Sequence, residues 1–368
     1  MSVSARRLRV KPEHTLVRAT GQRIRIGGSV YGIGGEIRDR TGSVWTLLTA
    51  MDGTRTDKEL VAHVVAVHPD ESSEAVQRAI GVFAESGHLE DAGAAEPPGL
   101  TARERERYDR GMRFYRWACM SSLTDRWAPQ LRLRAARVTV VGVGGTGGAA
   151  ALALAASGVG TLHCVDRDVV ELSNLNRQVL FTEADVGRSK VDVVVERLHA
   201  LNSDIRVTGV SQGINGVEDL RPLVADCDLF LLCADQPGEI RAWTNRACLD
   251  AGTPWVDAGY HGPVARATAY LPGRGACYEC GWLTEHDRHV AAGTAGEYTV
   301  VRDGSNAVYA PTAGLSGHLA AHLAVAVVTE AMPVLSGRTQ GINLVSPDQH
   351  FLLSPDRRAD CPACGDPR

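Results

Sequence analysis

The chain has 368 residues, 44% of them apolar and 22% charged, with 39 glycines, 16 prolines and a formal net charge of −4. That is more chain than one compact core needs; the composition excludes a disordered or fibrous protein, and the charge argues against nucleic acid as the main partner. No apolar stretch follows the charged N-terminus, and the most apolar windows, 149–156 and 319–328, are shorter than the roughly 20 residues that cross a bilayer, so a cytoplasmic protein without a membrane partner is expected.

Residues 1–95 read as a small α+β module. Alternating patterns at 15–19, 23–26 and 30–33, separated by glycine-containing turns, predict three short strands. Three helices follow. Ile37, Val44, Leu47 and Leu48 give the first an apolar face, and Thr56 with Glu59 forms a capping box ahead of Leu60, Val61, Val64 and Val65. The third, over 70–86, buries Val76, Ile80 and Phe83 and stops at Gly87. Strands followed by three helices make a winged-helix-like module. The sequence DAGAAEPPG at 91–99 has linker composition, and 96–131 reads as a basic helical connector. Residues 103–137 hold ten arginines and four acidic residues, a local net charge of +6 that fits either an anionic neighbour or a solvated face.

From 137 onward the pattern is α/β. The strand VTVVGVG, a small-residue helix at 147–157, the strand TLHCVD, a helix at 186–201, strands at 205–210 and 229–233 and a helix at 239–251 predict a doubly wound, Rossmann-like, mainly parallel sheet. Residues 262–271 suggest a change to antiparallel strands, followed by a glycine-rich stretch over 285–314.

Gly142, Gly144 and Gly147, with Gly145 between them, form GxGxxG where a strand passes into a helix. Glycine there permits a tight turn and close approach of backbone N–H groups to phosphate. Asp166, at the end of the next strand, is placed to accept from a ribose hydroxyl. This leaves a dinucleotide dehydrogenase and a mononucleotide enzyme both open.

Nine cysteines, an odd count, are not a disulfide framework. Cys277 and Cys280 in CYEC and Cys361 and Cys364 in CPAC are two paired sets that suit a structural four-thiolate zinc (Zn2+) site clamping the C-terminal part. Cys119, Cys164, Cys227, Cys233 and Cys248 lie in strand or helix patterns and read as core.

The run DRDVVELSNLNRQVLF, then VGRSKV, then LLCADQ, with RYDR at 107–110, resembles the ubiquitin-activating-type (ThiF/MoeB-like) adenylyltransferases over about residues 103–368. That family includes sulfur-carrier activators and peptide-adenylating enzymes of the microcin C type. The resemblance implies ATP as the nucleotide and an adenylation domain at 132–332, with C-terminal strands and a zinc-binding tail at 333–368. It implies that Asn174, Arg177 and Lys190 contact phosphates, that Asp168 is a further contact, and that Asp235 holds magnesium (Mg2+). Lys190 is one of only three lysines in the chain. Arg110 matches an arginine that reaches a neighbouring subunit's ATP, implying a homodimer. Gln236 stands where many relatives have Asn. No cysteine occurs over 281–360, where relatives that form a thioester usually carry one, so covalent relay is disfavoured.

TGSVWTLLTAMDGTRTDKELVAHV, followed by AIGVFAESGHLED, resembles the PqqD-like peptide-recognition modules of ribosomal-peptide modification systems over about residues 8–91. This implies capture of a precursor (leader) peptide by strand addition. A DNA-binding winged helix is the alternative, but residues 1–100 hold 12 basic and 13 acidic side chains, poor material for a phosphate-binding face. The expectation is therefore an enzyme that adenylates a carboxylate, the C-terminus, of a ribosomally made precursor peptide and hands it to a downstream modifying enzyme. The alternatives are an activator of a ubiquitin-like sulfur carrier and a non-catalytic leader-docking partner of a cyclodehydratase.

Overall fold

The computed structural model describes residues 6–95, 98–120, 125–293, 307–346 and 348–365. The chain divides into two compact units: Met1–Leu131 with Thr329–Met332, and Arg132–Val328 with Pro333–Arg368.

The first unit begins with β1 (Leu8–Val10), β2 (Leu16–Ala19), β3 (Arg23–Ile26) and β4 (Gly35–Arg38). β2, β3 and β4 form an antiparallel sheet. Residues 30–33 are not the third strand. They fold into a turn in which the N–H groups of Ile33 and Gly34 both donate to the Val30 carbonyl, so they have no free ladder, and the strand forms at β4 instead. Ile37 accordingly lies in β4 and not in the first helix. That helix, α1 (Ser43–Ala50), is capped by Asp39, whose carboxylate accepts from the N–H groups of Gly42, Val44 and Trp45.

α2 (Asp57–Val67) opens on the Thr56–Glu59 capping box with both reciprocal hydrogen bonds present. α3 (Ser73–Glu85) starts later than its apolar pattern suggests because Ser72 caps it, and Gly87 ends the region at φ +79°. β5 (Leu89–Asp91) pairs antiparallel with β1, a ribbon too short for its alternation to register in sequence. Leu8, Ile24, Ile26, Leu47, Leu60, Ile80 and Leu89 make one core of these elements. α4 (Ala102–Ala118) has a second capping box, Thr101 with Glu104, and α5 (Ala128–Ala135) contains the point where the units divide.

The second unit runs β6 (Arg137–Val141), α6 (Gly145–Ser157), β7 (Thr161–Val165), α7 (Lys190–Leu201), β8 (Arg206–Val210), α8 (Val217–Ala225), β9 (Leu229–Leu232) and α9 (Ile240–Ala251). It continues with β10 (Trp255–His261), β11 (Val264–Tyr270), α10 (Tyr278–Ala291), α11 (Ala310–Thr329), β12 (Thr339–Asn343) and β13 (His350–Leu353). The sheet order is β13-β12-β11-β10-β9-β6-β7-β8, parallel from β10 to β8 and antiparallel from β10 to β13. The fold is thus a Rossmann-like α/β fold with a mainly parallel sheet. The chain leaves β6 toward β7 and β8, then returns to place β9 and β10 on the other flank. A crevice opens at the carboxyl ends of strands where the order reverses in this way.

α7 begins at Lys190, not 186, because Ser189 caps it. The glycine-rich stretch is helical to Ala291 and again from Ala310; 294–306 lies outside the described residues. The apolar window at 319–328 is part of the 20-residue α11, long and apolar enough by composition to span a membrane. In this unit it packs as a core helix. A Cβ on Gly317 would lie 2.3 Å from the Thr146 carbonyl oxygen, and the Ser316 hydroxyl meets that of Thr146 at 2.7 Å.

Candidate active site and metal centre

A cavity of about 430 Å³ lies at the carboxyl ends of β6, β7, β9 and β10. Its floor is the turn from β6 into α6. Gly142 has φ +84°, and a Cβ there would sit 2.8 Å from the Ala234 nitrogen. A Cβ on Gly147 would lie 1.7 Å from the Gly142 carbonyl oxygen, so only glycine allows α6 to close on the strand. Gly142, Gly144 and Gly145 line the cavity, while Gly147 is buried behind them. The first N–H groups of α6 have no intrahelical partner, and the positive end of the helix is a ready site for phosphate.

Asp166 holds this turn as well as lining the cavity. Its Oδ2 accepts from the Val143 N–H at 2.8 Å and its Oδ1 from the Asp168 N–H at 2.9 Å. Asp168, Arg177, Lys190 and Asp235 line the same space. Lys190, the first residue of α7, is 6% exposed and donates its Nζ–H to Asp168 Oδ2 at 2.9 Å. Arg177 donates to the Ser173 carbonyl and the Asn176 side chain.

Two candidates stand elsewhere. Asn174 is buried and closes the turn over 171–174, its Oδ1 accepting from the Glu171 N–H at 3.2 Å, and it does not line the cavity. Arg110 is exposed on α4, in the first unit.

The cavity also holds residues the sequence reading passed over. Gln178, 6% exposed, has an Oε1 without a hydrogen-bond partner and an Nε2 that would lie 3.3 Å from a Cβ on Gly144; its signal was simply its place after Arg177. Arg241 lines the wall and donates from Nε to Asp257 at 2.9 Å. A charged residue inside the apolar strand WVDAG was the available signal for Asp257. Cys233 also lines the cavity, but burial pushes its thiol up, so it remains a neutral thiol at physiological pH.

The four paired cysteines converge. Their sulfurs all lie within 4.8 Å of one another, with Cys277–Cys280 at 3.8 Å, Cys277–Cys361 at 3.7 Å and Cys280–Cys364 at 3.4 Å. Tetrahedral zinc with metal–sulfur bonds of about 2.3 Å places its sulfurs about 3.8 Å apart, so the thiols fit that ion. The Arg358 N–H donates to Cys280 Sγ and Asn245 Nδ2 to Cys277 Sγ, donors that suit thiolates.

The chain matches the ThiF family over residues 108–363. It is similar to the sulfur carrier protein ThiS adenylyltransferase of Escherichia coli (strain K12), at 36% identity over 244 residues, 64% of this chain and 88% of that one. It is similar to the adenylyltransferase and sulfurtransferase MOCS3 of Bos taurus, at 36% over 237 residues, but covers only 50% of that protein's length. Among solved structures, E. coli MccB superposes with a TM-score of 0.79 at 22% identity, covering 98% of this chain and 97% of that one, a likeness of fold. With its glycine turn, its cavity at the sheet's reversal point and a family match over more than half its length, the chain belongs to the ThiF family of ATP-using adenylyltransferases.

Proposed function

We propose that this adenylyltransferase activates the C-terminal carboxylate of a ribosomally made precursor peptide whose leader is captured by residues 6–95. The observation that carries the reading is one cavity lined by Gly142, Gly144, Gly145, Asp166, Asp168, Arg177, Lys190 and Asp235. Forming an acyl adenylate joins a carboxylate to a polyanion and releases pyrophosphate, so donors and cations must face the phosphates. The α6 N-terminus and Lys190 supply them. Lys190 exchanges Asp168 for a phosphate oxygen, and Arg177 adds a second cation. The carboxylate of Asp235 is a hard oxygen donor that suits magnesium, which would supply further charge neutralisation at the phosphates. Zinc on the four cysteines is structural, since sulfur fills every position.

A peptide substrate is supported by the likeness along the whole chain to MccB, which has been solved with ATP and with MccA, whereas the sulfur-carrier relative matches 64% of this chain. The groove between β4 and α3, lined by Arg38, Val44, Leu47 and Val76, is where an added peptide strand would lie. Transfer from the adenylate goes to substrate or partner and not to an enzyme thiolate in this reading, because no cysteine occurs over 281–360, where relatives that form a thioester usually carry one. In this reading Arg110 completes the site of a second copy.

ATP–pyrophosphate exchange tests the proposal, with a short peptide encoded beside the gene as the substrate. Exchange driven by that peptide and abolished by deleting residues 6–95 supports it. Exchange driven by ThiS-type Gly-Gly carriers, and indifferent to that deletion, favours the sulfur-carrier activator to which the 36% identity points. A chain that binds peptide but never exchanges pyrophosphate would be the docking partner.

A further inference from the structure

We infer that Arg241, anchored by Asp257, receives the substrate carboxylate that is to be adenylated. This deepens the adenylation reading above and rests on it.

Asp257, in β10, is fully buried. Its Oδ1 accepts from Arg241 Nε at 2.9 Å and its Oδ2 from Arg266 at 2.8 Å. Two guanidiniums on one carboxylate leave a fixed positive charge. Arg241 lines the cavity, and its Nε–H is its one hydrogen bond among the described residues, so both terminal nitrogens remain open to a ligand. A guanidinium held at Nε presents a planar pair of donors that matches a carboxylate.

Position separates this charge from the phosphate-directed one. β9 and β10 run parallel, with Asp257 beside Leu232, three residues before Asp235, so Arg241 belongs to the β9–β10 flank of β6. Asp166 and the Lys190–Asp168 pair belong to the β7 flank. Adenylation needs two anions in one cavity. The glycine turn, Lys190 and Arg177 serve the triphosphate, Arg167 follows β7 on that same flank, and Arg241 is the cation of the other flank, open to the carboxylate. A carboxylate oxygen so held forms its bond to the α-phosphorus as the α–β phosphoanhydride bond breaks, and that electron pair leaves with pyrophosphate. No proton or redox partner is consumed.

The test uses the full chain loaded with α,β-methylene-ATP and titrated calorimetrically with glycylglycine and with glycylglycine amide. The free carboxylate of the dipeptide is common to a peptide C-terminus and a Gly-Gly carrier. Wild type should bind the free acid in preference to the amide. Arg241→Gln should weaken the free acid by about 10-fold or more, the scale of a charge-assisted hydrogen bond, with nucleotide affinity unchanged. Arg241→Lys, which keeps the charge and loses the fork, should fall between. Equal binding of acid and amide by wild type, none by either, or undiminished acid binding in Arg241→Gln would overturn the assignment. So would loss of nucleotide binding in Arg241→Gln, which would make Arg241 a phosphate ligand. Failure of wild type to bind α,β-methylene-ATP would instead break the adenylation reading itself.

Discussion

At the β7 flank of the cavity the cation is buried and the acid exposed: the Lys190 side chain is 7% exposed and Asp168 55%. At the β10 flank the order is reversed, with Asp257 at 1% and its partners Arg241 and Arg266 at 17% and 33%. An ion pair whose carboxylate is in water contributes little and is easily exchanged, whereas a buried carboxylate must keep its cations or pay the cost of desolvation. The first pair is therefore suited to release Lys190 to an incoming phosphate, and the second to hold Arg241 still. One is exchangeable chemistry and the other fixed framework.

The largest effects separate the two flanks. Lys190→Ala should lower ATP–pyrophosphate exchange by about 10–1000-fold, the usual scale for a lost phosphate-directed cation, while leaving the melting temperature close to wild type. Asp257→Asn should do the reverse in stability, removing about 3–5 kcal/mol by leaving buried cations uncompensated. Calorimetry and exchange on both variants check this. A melting loss confined to Lys190→Ala would mean that the flanks have been assigned the wrong way round.

The metal centre sharpens the contrast, because α9 carries both Arg241 and, one turn on, Asn245, whose Nδ2 donates to Cys277 Sγ. Cys361→Ser should lower zinc content and melting temperature together, as measured by metal analysis and thermal denaturation. Correctly folded wild type without stoichiometric zinc would count against the centre.

The glycine turn was legible in sequence and the Asp257–Arg241 pair was not, for a physical reason. Gly142 to Gly147, Thr56 with Glu59, and the two cysteine pairs are local patterns, fixed by a turn, a cap or a short loop. Asp257 meets Arg266 only because β10 and β11 pair so that Gly259 stands opposite Arg266, and no local spacing states that register. The same holds for β1 with β5. Residues 30–33 failed differently: their apolar spacing suits a strand, but Gly28 before them and Gly32 among them, at φ +81° and +83°, turn the chain before a ladder forms. Asn174 has a local structural role beside the one its motif implies, since its Oδ1 accepts from the Glu171 N–H within its own turn.

A third buried polar cluster, in the first unit, extends the comparison to pH. His14 Nε2 donates to the Trp117 carbonyl at 3.0 Å, leaving its Nδ1 to accept from His88 Nδ1 at 2.9 Å, an arrangement that needs the His14 ring neutral and is broken when both rings are charged. Burial, then the neighbouring His14 and Lys11, pull His88 down to about 4. Burial also lowers His14, with Lys11 and Arg116 acting the same way and Glu13 and the Trp117 carbonyl opposing. Because the folded state disfavours protonation, its stability is fully present above the ordinary value of 6.5 and is lost as pH falls from 6.5 toward 4. Hydrogen exchange should place that loss in residues 6–120, and a loss centred on the cavity would contradict it.

The smallest effect is expected at Asp168, and it tests the exchangeable pair most directly. If Asp168 merely holds Lys190 until phosphate arrives, Asp168→Asn removes a competitor for the ammonium as well as a partner. The two consequences oppose each other. Nucleotide binding should then change by less than about tenfold, the scale of an exposed ion pair, with the melting temperature nearly constant. A titration with α,β-methylene-ATP, with and without magnesium, reads this and divides two roles for the residue. A small change that is the same under both conditions keeps Asp168 as a holder of Lys190. A large loss seen only with magnesium would make it a second metal carboxylate beside Asp235, and the β7 flank would no longer be a simple exchange of one anion for another.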